Sequence, residues 1–283
     1  MLKESNIYIK PSTGWFDINL REIWQYRDLL FLLVRRDFVA QYKQTILGPF
    51  WLIAQPLFGT SVFTVIFGMV AKLPTDGLPV FLFYQSGMLG WNYFANTYGS
   101  NSNALQSNVG LFGKVYFPRM IPPLATCITN LFTFLLQFVI FMIVYTIFKI
   151  NLGENATFGI SPYVCFLPLL VFQSALLAIG VGLFISAITV KYRDFAKMSG
   201  LIMQFLMYVS PIIYPLSEVP EKLKWVMLLN PLSFIVESYR VMFLGKGSIS
   251  IELAISSVFI TLSICFIGII LYNKIQKTYI DYV

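Results

Sequence analysis

Basic side chains cluster directly before the first long apolar segment of the sequence, at Arg35, Arg36 and Lys43. Arginine and lysine donate charge-assisted hydrogen bonds to phosphates. Around them, residues 20–43 place apolar and charged positions at spacings near three and four, which predicts an amphipathic helix at a membrane surface. Such a helix serves either as a plain membrane anchor or as a gate whose basic face meets a phosphate headgroup or a partner.

A second region mixes aromatic rings with amides, at Tyr84, Trp91, Asn92, Tyr93 and Phe94. Amides are costly against lipid but suit a hydrated lumen. Aromatic rings stack on the C–H groups of sugars while amides bond their hydroxyls, so this composition suits a glycan. The alternative is an interfacial belt, which Trp and Tyr form at both surfaces of a bilayer.

A third cluster is the compact charged turn 191–197, which contains Tyr192, Arg193 and Asp194. One interpretation is a solvated loop that carries positive charge on the cytoplasmic side. The other is a short coupling helix that sits in a cleft of an ATPase subunit.

Several chemistries are missing from the sequence. There is no histidine, which excludes histidine metal sites, histidine-based triads and HExxH proteases. The Gly-Lys pairs at 113–114 and 245–246 lack the other residues of a P-loop. We therefore expect no cofactor and no metal in this chain, and any ATP and Mg²⁺ must be bound by a partner ATPase.

The composition predicts the elements that position these residues. Only 12% of the 283 residues are charged, 57% are hydrophobic, and the mean hydropathy is +0.73. A soluble domain carries roughly 25% charge, so a soluble enzyme, a disordered tail and a secreted disulfide domain are excluded. Continuously apolar segments indicate helices rather than a barrel. The sequence thus predicts an all-α membrane protein with six transmembrane helices, at 49–71, 78–104, 121–148, 164–190, 198–215 and 253–273.

Charge asymmetry predicts the orientation of the six spans. Fourteen of the twenty Lys and Arg residues fall on the side of the termini and six on the other. By the positive-inside rule, both termini are cytoplasmic. The net charge of +7 then reflects orientation and contact with anionic membrane lipids rather than nucleic-acid binding.

Two further features concern the connections and the packing. Asn230-Pro231 divides the longest outer connection, so we expect two short re-entrant helices within about 216–250. A seventh span is disfavoured because a full crossing would bury Glu237 and Arg240. Small residues at four-residue spacing in span four predict a close helix contact; they are Ser174, Ala178, Gly182 and Ser186.

The order of these motifs resembles one family. The residues that carry the resemblance are the basic amphipathic helix, Tyr42-Lys43-Gln44-Thr45-Ile46-Leu47-Gly48-Pro49-Phe50-Trp51, the six spans, Tyr192-Arg193-Asp194, Ser210-Pro211-Ile212-Ile213-Tyr214, Asn230-Pro231 and Tyr239-Arg240. The chain resembles type-2 ABC exporter permeases of the polysaccharide branch, which includes O-antigen, capsule and teichoic-acid exporters. Order and spacing, rather than one motif, make the resemblance specific over nearly the whole chain.

The resemblance implies a homodimeric type-2 ABC exporter fold that works with two copies of an ABC ATPase. It implies export of an undecaprenyl-pyrophosphate-linked glycan across the bacterial plasma (inner) membrane. Arg35, Arg36, Lys43, Leu47 and Gly48 would form the cytoplasmic gate for the headgroup, and Tyr192, Arg193 and Asp194 would contact the ATPase. The implied glycan lining comprises Trp51, Tyr84, Trp91, Tyr93, Phe94, Tyr208 and Tyr214.

We accordingly divide the chain into an N-terminal extension at 1–19, the interface helix and gate loop at 20–47, and the six-span domain at 48–283. Alternatives with the same fold are a capsule or teichoic-acid exporter and a permease for a drug, lipid or peptide. A channel or secondary transporter is a different class. So is a membrane glycosyltransferase, whose candidate carboxylates would be Glu218, Glu221, Glu237 and Glu252.

Overall fold

The computed structural model describes residues 20–43, 48, 50–108, 110 and 116–278. The regular elements in these ranges are helices, as the composition predicts. The extension 1–19 and residues 44–47 of the gate loop lie outside the described residues. The α-helices are α1 (Leu20–Gln25), α2 (Arg27–Tyr42), α3 (Phe50–Phe63), α4 (Val80–Ser102), α5 (Ala104–Ser107), α6 (Ile121–Leu152), α7 (Leu167–Lys191), α8 (Asp194–Val209), α9 (Lys224–Leu229), α10 (Pro231–Leu244) and α11 (Ile251–Thr278).

A helix occupies each of the six predicted spans. Within the described residues, four continuous helical segments are long and apolar enough to cross a bilayer: Phe50–Val70, Ile121–Leu152, Pro162–Lys191 and Ile251–Gln276. The first joins α3 to a π-helical stretch at Thr64–Val70, and the third joins a 3-10 turn at Pro162–Phe166 to α7. Helix α8 has only 16 residues, and α4 carries many amides and hydroxyls, so neither meets that standard.

Helix α4 forms the centre of the protomer. It packs against α6, α7 and α10, and most of its residues from Leu82 to Phe94 are buried. Most of its polar and aromatic side chains are therefore enclosed by protein, whereas Asn96 and Ser100 are exposed. This placement allows a helix of low hydropathy at membrane depth.

The small-residue ridge of α7 packs as the sequence predicts. Ser174, Ala178, Gly182 and Ser186 are all buried. A Cβ atom on Gly182 would lie 2.6 Å from the Cβ of Asn101, so α4 approaches more closely than any larger residue would permit. The hydroxyl of Ser186 accepts a hydrogen bond from the Leu105 N–H at 3.2 Å. The ridge thus fastens α7 to the end of α4 and to α5.

Large apolar side chains cover the outside of the protomer. A surface this apolar is incompatible with water and suits a bilayer or a further subunit. Helices α3 and α8 are the most open, with Thr60 the buried residue of α3 and Ser199 that of α8. Exposed side chains on these two helices include Phe50, Trp51, Ile53, Phe58, Met198, Leu201, Phe205 and Tyr208.

Candidate functional site

The segment predicted as an interface helix is helical but broken, and its position at a membrane surface stays a prediction. The break falls at Tyr26, so the segment forms α1 and α2 rather than one helix. Leu33 and Val34 of α2 are buried against Phe117, Ile121 and Ala125, at the beginning of α6. Apolar side chains also occupy the opposite side of the segment, because Trp24, Phe31 and Leu32 are all more than 60% exposed. A helix with apolar residues on both sides suits a position between protein and lipid.

The three basic residues of the predicted gate lie on α2 or directly after it, and all are exposed. Nη2 of Arg36 lies 2.7 Å from Oδ1 of Asp37, an ion pair that is partly exposed and therefore weak. Gly48 has φ +49°, a left-handed conformation that glycine adopts readily. Leu47 lies outside the described residues.

The predicted coupling segment is a turn rather than a helix of its own. Helix α7 ends at Lys191 and α8 begins at Asp194, so only Tyr192 and Arg193 connect them. Of the two interpretations, the structure shows a connecting turn whose charged residues continue directly into α8, and the predicted contact with an ATPase stays a prediction. Tyr192, Arg193 and Asp194 are exposed, and Asp194 in the first turn of α8 complements the helix dipole.

The predicted glycan lining divides into two groups. The side chains of Trp51 and Tyr208 are half exposed on α3 and α8, and that of Tyr214 is partly buried. The other four rings, those of Tyr84, Trp91, Tyr93 and Phe94, are buried inside the protomer.

The four buried rings make intramolecular contacts. Tyr84 packs with Phe63 and Phe83 at centroid distances of 6.1 and 5.3 Å. The hydroxyl of Tyr93 lies 3.4 Å from the sulfur of Cys127. In the protomer these rings are packing groups, and their predicted contact with a glycan stays a prediction.

An open cleft of about 410 Å³ lies between α4 and α8. Trp91 borders it, together with amides and hydroxyls such as those of Asn103 on the side of α4 and Gln204 on α8. Tyr98 closes its floor by donating a hydrogen bond to the carbonyl of Ser199 at 3.4 Å. The cleft therefore presents polar groups beside the edge of a buried indole ring.

The predicted re-entrant segment forms two short helices that bend by 98° between Leu229 and Pro231. Asn230 caps the second helix, since its Oδ1 accepts a hydrogen bond from the Leu232 N–H at 3.1 Å. Its Nδ2 donates to the hydroxyl of Ser210 at 3.0 Å. The two motifs of the sequence, Ser210-Pro211 and Asn230-Pro231, are thus joined directly.

Glu237 and Arg240 form a fully buried ion pair on α10. Their side chains are 0% and 1% exposed, and Nη1 of Arg240 lies 3.0 Å from Oε2 of Glu237. The expectation that the bent segment keeps both charges out of the interior is wrong. The sequence shows the i, i+3 spacing, but the partners that make burial tolerable come from distant parts of the chain.

Those partners satisfy most of the polar atoms of the pair. Nη2 of Arg240 donates to the carbonyl of Ile212 at 2.8 Å, and its Cζ lies 3.8 Å from the ring centroid of Phe83. Oε1 of Glu237 accepts from the Ser248 N–H at 3.0 Å. Removing one member of such a pair leaves an uncompensated buried charge and costs about 3–5 kcal/mol.

Helix α10 also lies in direct contact with α4. A Cβ on Gly90 would lie 2.6 Å from the Tyr239 ring, so glycine is required where the two helices cross.

Asp76, in the connection before α4, is bonded by residues on both sides of α9 and α10. Ser217 donates to its carboxylate at 2.8 Å, and Lys246 donates to its carbonyl at 3.1 Å. We call α9, α10 and the segment 210–223 the outer cap, after the outer side on which the sequence predicts it.

The carboxylates that a membrane glycosyltransferase would need are not assembled. Glu237 is occupied by Arg240, and Glu221 lies 3.4 Å from Lys224 on the surface. Glu218 and Glu252 are exposed on separate elements. This arrangement does not favour that alternative.

Comparison with known proteins places the chain in a family. The family described as ABC-2 type transporter matches residues 28–244, from α2 to the end of α10. The chain belongs to the ABC-2 type transporter family. It is therefore a membrane transport protein rather than an enzyme, and the matched range includes the basic helix, the turn at 192–194 and the outer cap.

Individual members of the family are similar over most of their length. The chain is 25% identical to the O-antigen export system permease protein RfbA of Klebsiella pneumoniae over 254 residues, 90% of this chain and 94% of that protein. It is 28% identical to RfbA of Myxococcus xanthus, covering 79% and 83% of the two chains. It is also 28% identical to the polysialic acid transport protein KpsM of Escherichia coli, covering 88% and 93%.

Proposed function

We propose that this protein is the permease subunit of an ATP-driven exporter that moves a lipid-linked polysaccharide of the O-antigen type across the bacterial plasma membrane. The observation that carries the proposal is family membership together with relatives of nearly the same length that are named for O-antigen and polysialic acid transport. We further propose six spans with both termini in the cytoplasm.

We propose that it assembles as a homodimer with two ATPase subunits, and the open faces of the protomer support the homodimer. Helices α3 and α8 each bury very little, and they carry Trp51 and Tyr208 on their exposed sides. A second copy facing these helices would enclose a passage between two identical surfaces. The rings of Trp51 and Tyr208 and the amides beside the α4–α8 cleft would then offer a glycan stacking surfaces and hydrogen bonds without strict sequence selectivity.

The cytoplasmic gate is proposed at the basic end of α2. Arg35, Arg36 and Lys43 are exposed beside the first span, where a pyrophosphate headgroup in the inner leaflet would lie within reach. The exposed turn at Tyr192-Arg193-Asp194 is proposed as the ATPase contact. Both surfaces are on the side that the charge asymmetry assigns to the cytoplasm.

Export of a capsule polysaccharide is the second candidate, favoured by the similarity to KpsM over 88% of this chain. Deleting the gene and isolating the polysaccharide tests both. We expect a polyprenyl-pyrophosphate-linked glycan to accumulate inside the cells and the surface polymer to disappear. An accumulating polymer on another lipid anchor would favour the capsule candidate, and unchanged surface polysaccharide would contradict polysaccharide export.

A further inference from the structure

The guanidinium of Arg240 joins three separate segments of the outer half of the protein. It stacks on Phe83 of α4, donates to the carbonyl of Ile212 at 2.8 Å, and pairs with Glu237 on its own helix. Nη1 also lies 3.5 Å from the carbonyl oxygen of Tyr214.

Two carbonyls of the segment that receives these bonds depend on Arg240. Residues 210–215 follow the end of α8 and are not helical. The carbonyls of Ser210 and Pro215 accept from backbone N–H groups, whereas those of Ile212 and Tyr214 accept from Arg240. Pro211, Ile212 and Ile213 are nevertheless buried, which makes a donor necessary. A planar guanidinium can stack on a ring and donate within its plane at the same time, which a lysine ammonium cannot do.

The segment also continues directly from α8, the helix that carries Tyr208 and one wall of the open cleft. Fixing 210–215 on α4 therefore fixes the outer end of α8. The carboxylate of the ion pair is held as well, because Oε1 of Glu237 accepts a hydrogen bond from the N–H of Ser248, which follows α10.

We propose that Arg240 is the positioning residue of the outer end of the export path. It holds the segment 210–215, and through it the outer end of α8, at a fixed place on α4 where the polymer leaves the protein. This inference rests on the proposed export function and adds a residue that acts through backbone position rather than by touching the polymer.

The test distinguishes a role of Arg240 in positioning the segment 210–215 from a role in folding of the protein. Glu237→Gln combined with Arg240→Met removes both charges, so no buried charge is left unpaired, and Gln can still accept from the Ser248 N–H. We expect this chain to accumulate in the membrane and its complex with the ATPase to hydrolyse ATP near the native rate. Surface polysaccharide should nevertheless fall by about tenfold or more, because small displacements at a working site are costly.

An engineered disulfide tests whether fixing the segment 210–215 again restores export. The hydroxyl of Ser217 donates a hydrogen bond of 2.8 Å to the carboxylate of Asp76. Ser217 follows the segment 210–215, and Asp76 lies in the connection that leads into α4. Cysteines at these two positions, in the Glu237→Gln/Arg240→Met chain with Cys165→Ser, should restore export under oxidising conditions and lose it on reduction. Lys149→Met is the matched control, because this exposed outer lysine lies 6.0 Å from the ring of Tyr145 and should export normally.

Native surface polysaccharide from the doubly substituted chain would overturn the role of Arg240, and so would loss of export that the disulfide fails to rescue. If the doubly substituted chain does not accumulate, Arg240→Lys replaces it in the same test. We then expect the same loss of surface polysaccharide and the same restoration by the disulfide. Failure of both chains to accumulate would assign Arg240 to folding alone and would also overturn the proposal. Absence of export by the unaltered protein would instead reject the proposed function.

Discussion

Two arginines of this protein have opposite surroundings and correspondingly different roles. Arg240 is enclosed by an aromatic ring, a carboxylate and backbone carbonyls. Arg35 is exposed on α2. A buried arginine in such a network fixes structure, whereas an exposed one near the membrane surface is free to bind a headgroup.

The exposed basic residues give the first prediction. Replacing Arg35, Arg36 and Lys43 together by Glu should abolish export while dimer assembly is preserved, because the only ion pair lost among the described contacts is the exposed one with Asp37, worth up to about 1 kcal/mol. Surface polysaccharide and detergent-solubilised size measure the two effects. Arg27→Glu on the same helix is the control, and normal export by the triple variant would contradict the gate.

The burial of individual side chains is what the sequence predicted least well. An aromatic and amide-rich helix has the same composition whether it lines a lumen or fills the centre of a protein, so the burial of Tyr84 and Tyr93 could not be anticipated. Likewise, Glu237 and Arg240 become buried because Phe83 and Ile212, far away in the sequence, supply the contacts.

At the scale of helices, the sequence was more informative. Apolar length predicted a helix in each span, the small-residue ridge predicted the close contact of α7, and Asn230-Pro231 predicted the break between α9 and α10. These features depend on local spacing and on backbone geometry, which a single sequence records. The break at Tyr26 and the absence of a separate coupling helix depend on packing and were not predicted.

Helix contact gives the second prediction. A Cβ on Gly268 of α11 would collide with the carbonyl oxygen of Gly180 on α7. Gly268→Ala should therefore separate the two helices and destabilise the protein by about 1–3 kcal/mol, seen as a lower thermal denaturation temperature in detergent. Gly59→Ala is the control, because its Cβ would lie 3.5 Å from the flexible end of Met88. Equal stability of the two variants would contradict the contact.

The turn between α7 and α8 gives the third prediction. Arg193→Ala with Asp194→Ala should detach or uncouple the ATPase, measured by pull-down and by ATP turnover. Both residues are exposed, and losing Asp194 from the first helical turn costs only about 0.3–1 kcal/mol of stability. Lys222→Ala in the outer cap is the control. Unchanged ATPase binding and turnover would reject this contact.

Over the whole molecule, the proposed topology places the turn at 192–193 and the outer cap on opposite sides of the membrane. In a Cys165→Ser background, a membrane-impermeant maleimide should label Ser217→Cys in intact spheroplasts. It should label Lys197→Cys only after the membrane is opened. Both positions are exposed, while Cys127 and Cys265 are buried and should not react. The reverse labelling pattern would overturn the orientation.

The central position of α4 has a consequence for how the protein is made. Its many polar groups give it too little affinity for lipid to partition from the translocon alone. The helices that shelter it, α6, α7 and α10, are all synthesised later. We therefore expect α4 to remain at the insertion machinery until those helices emerge, and a chain truncated after α4 to be degraded by membrane proteases.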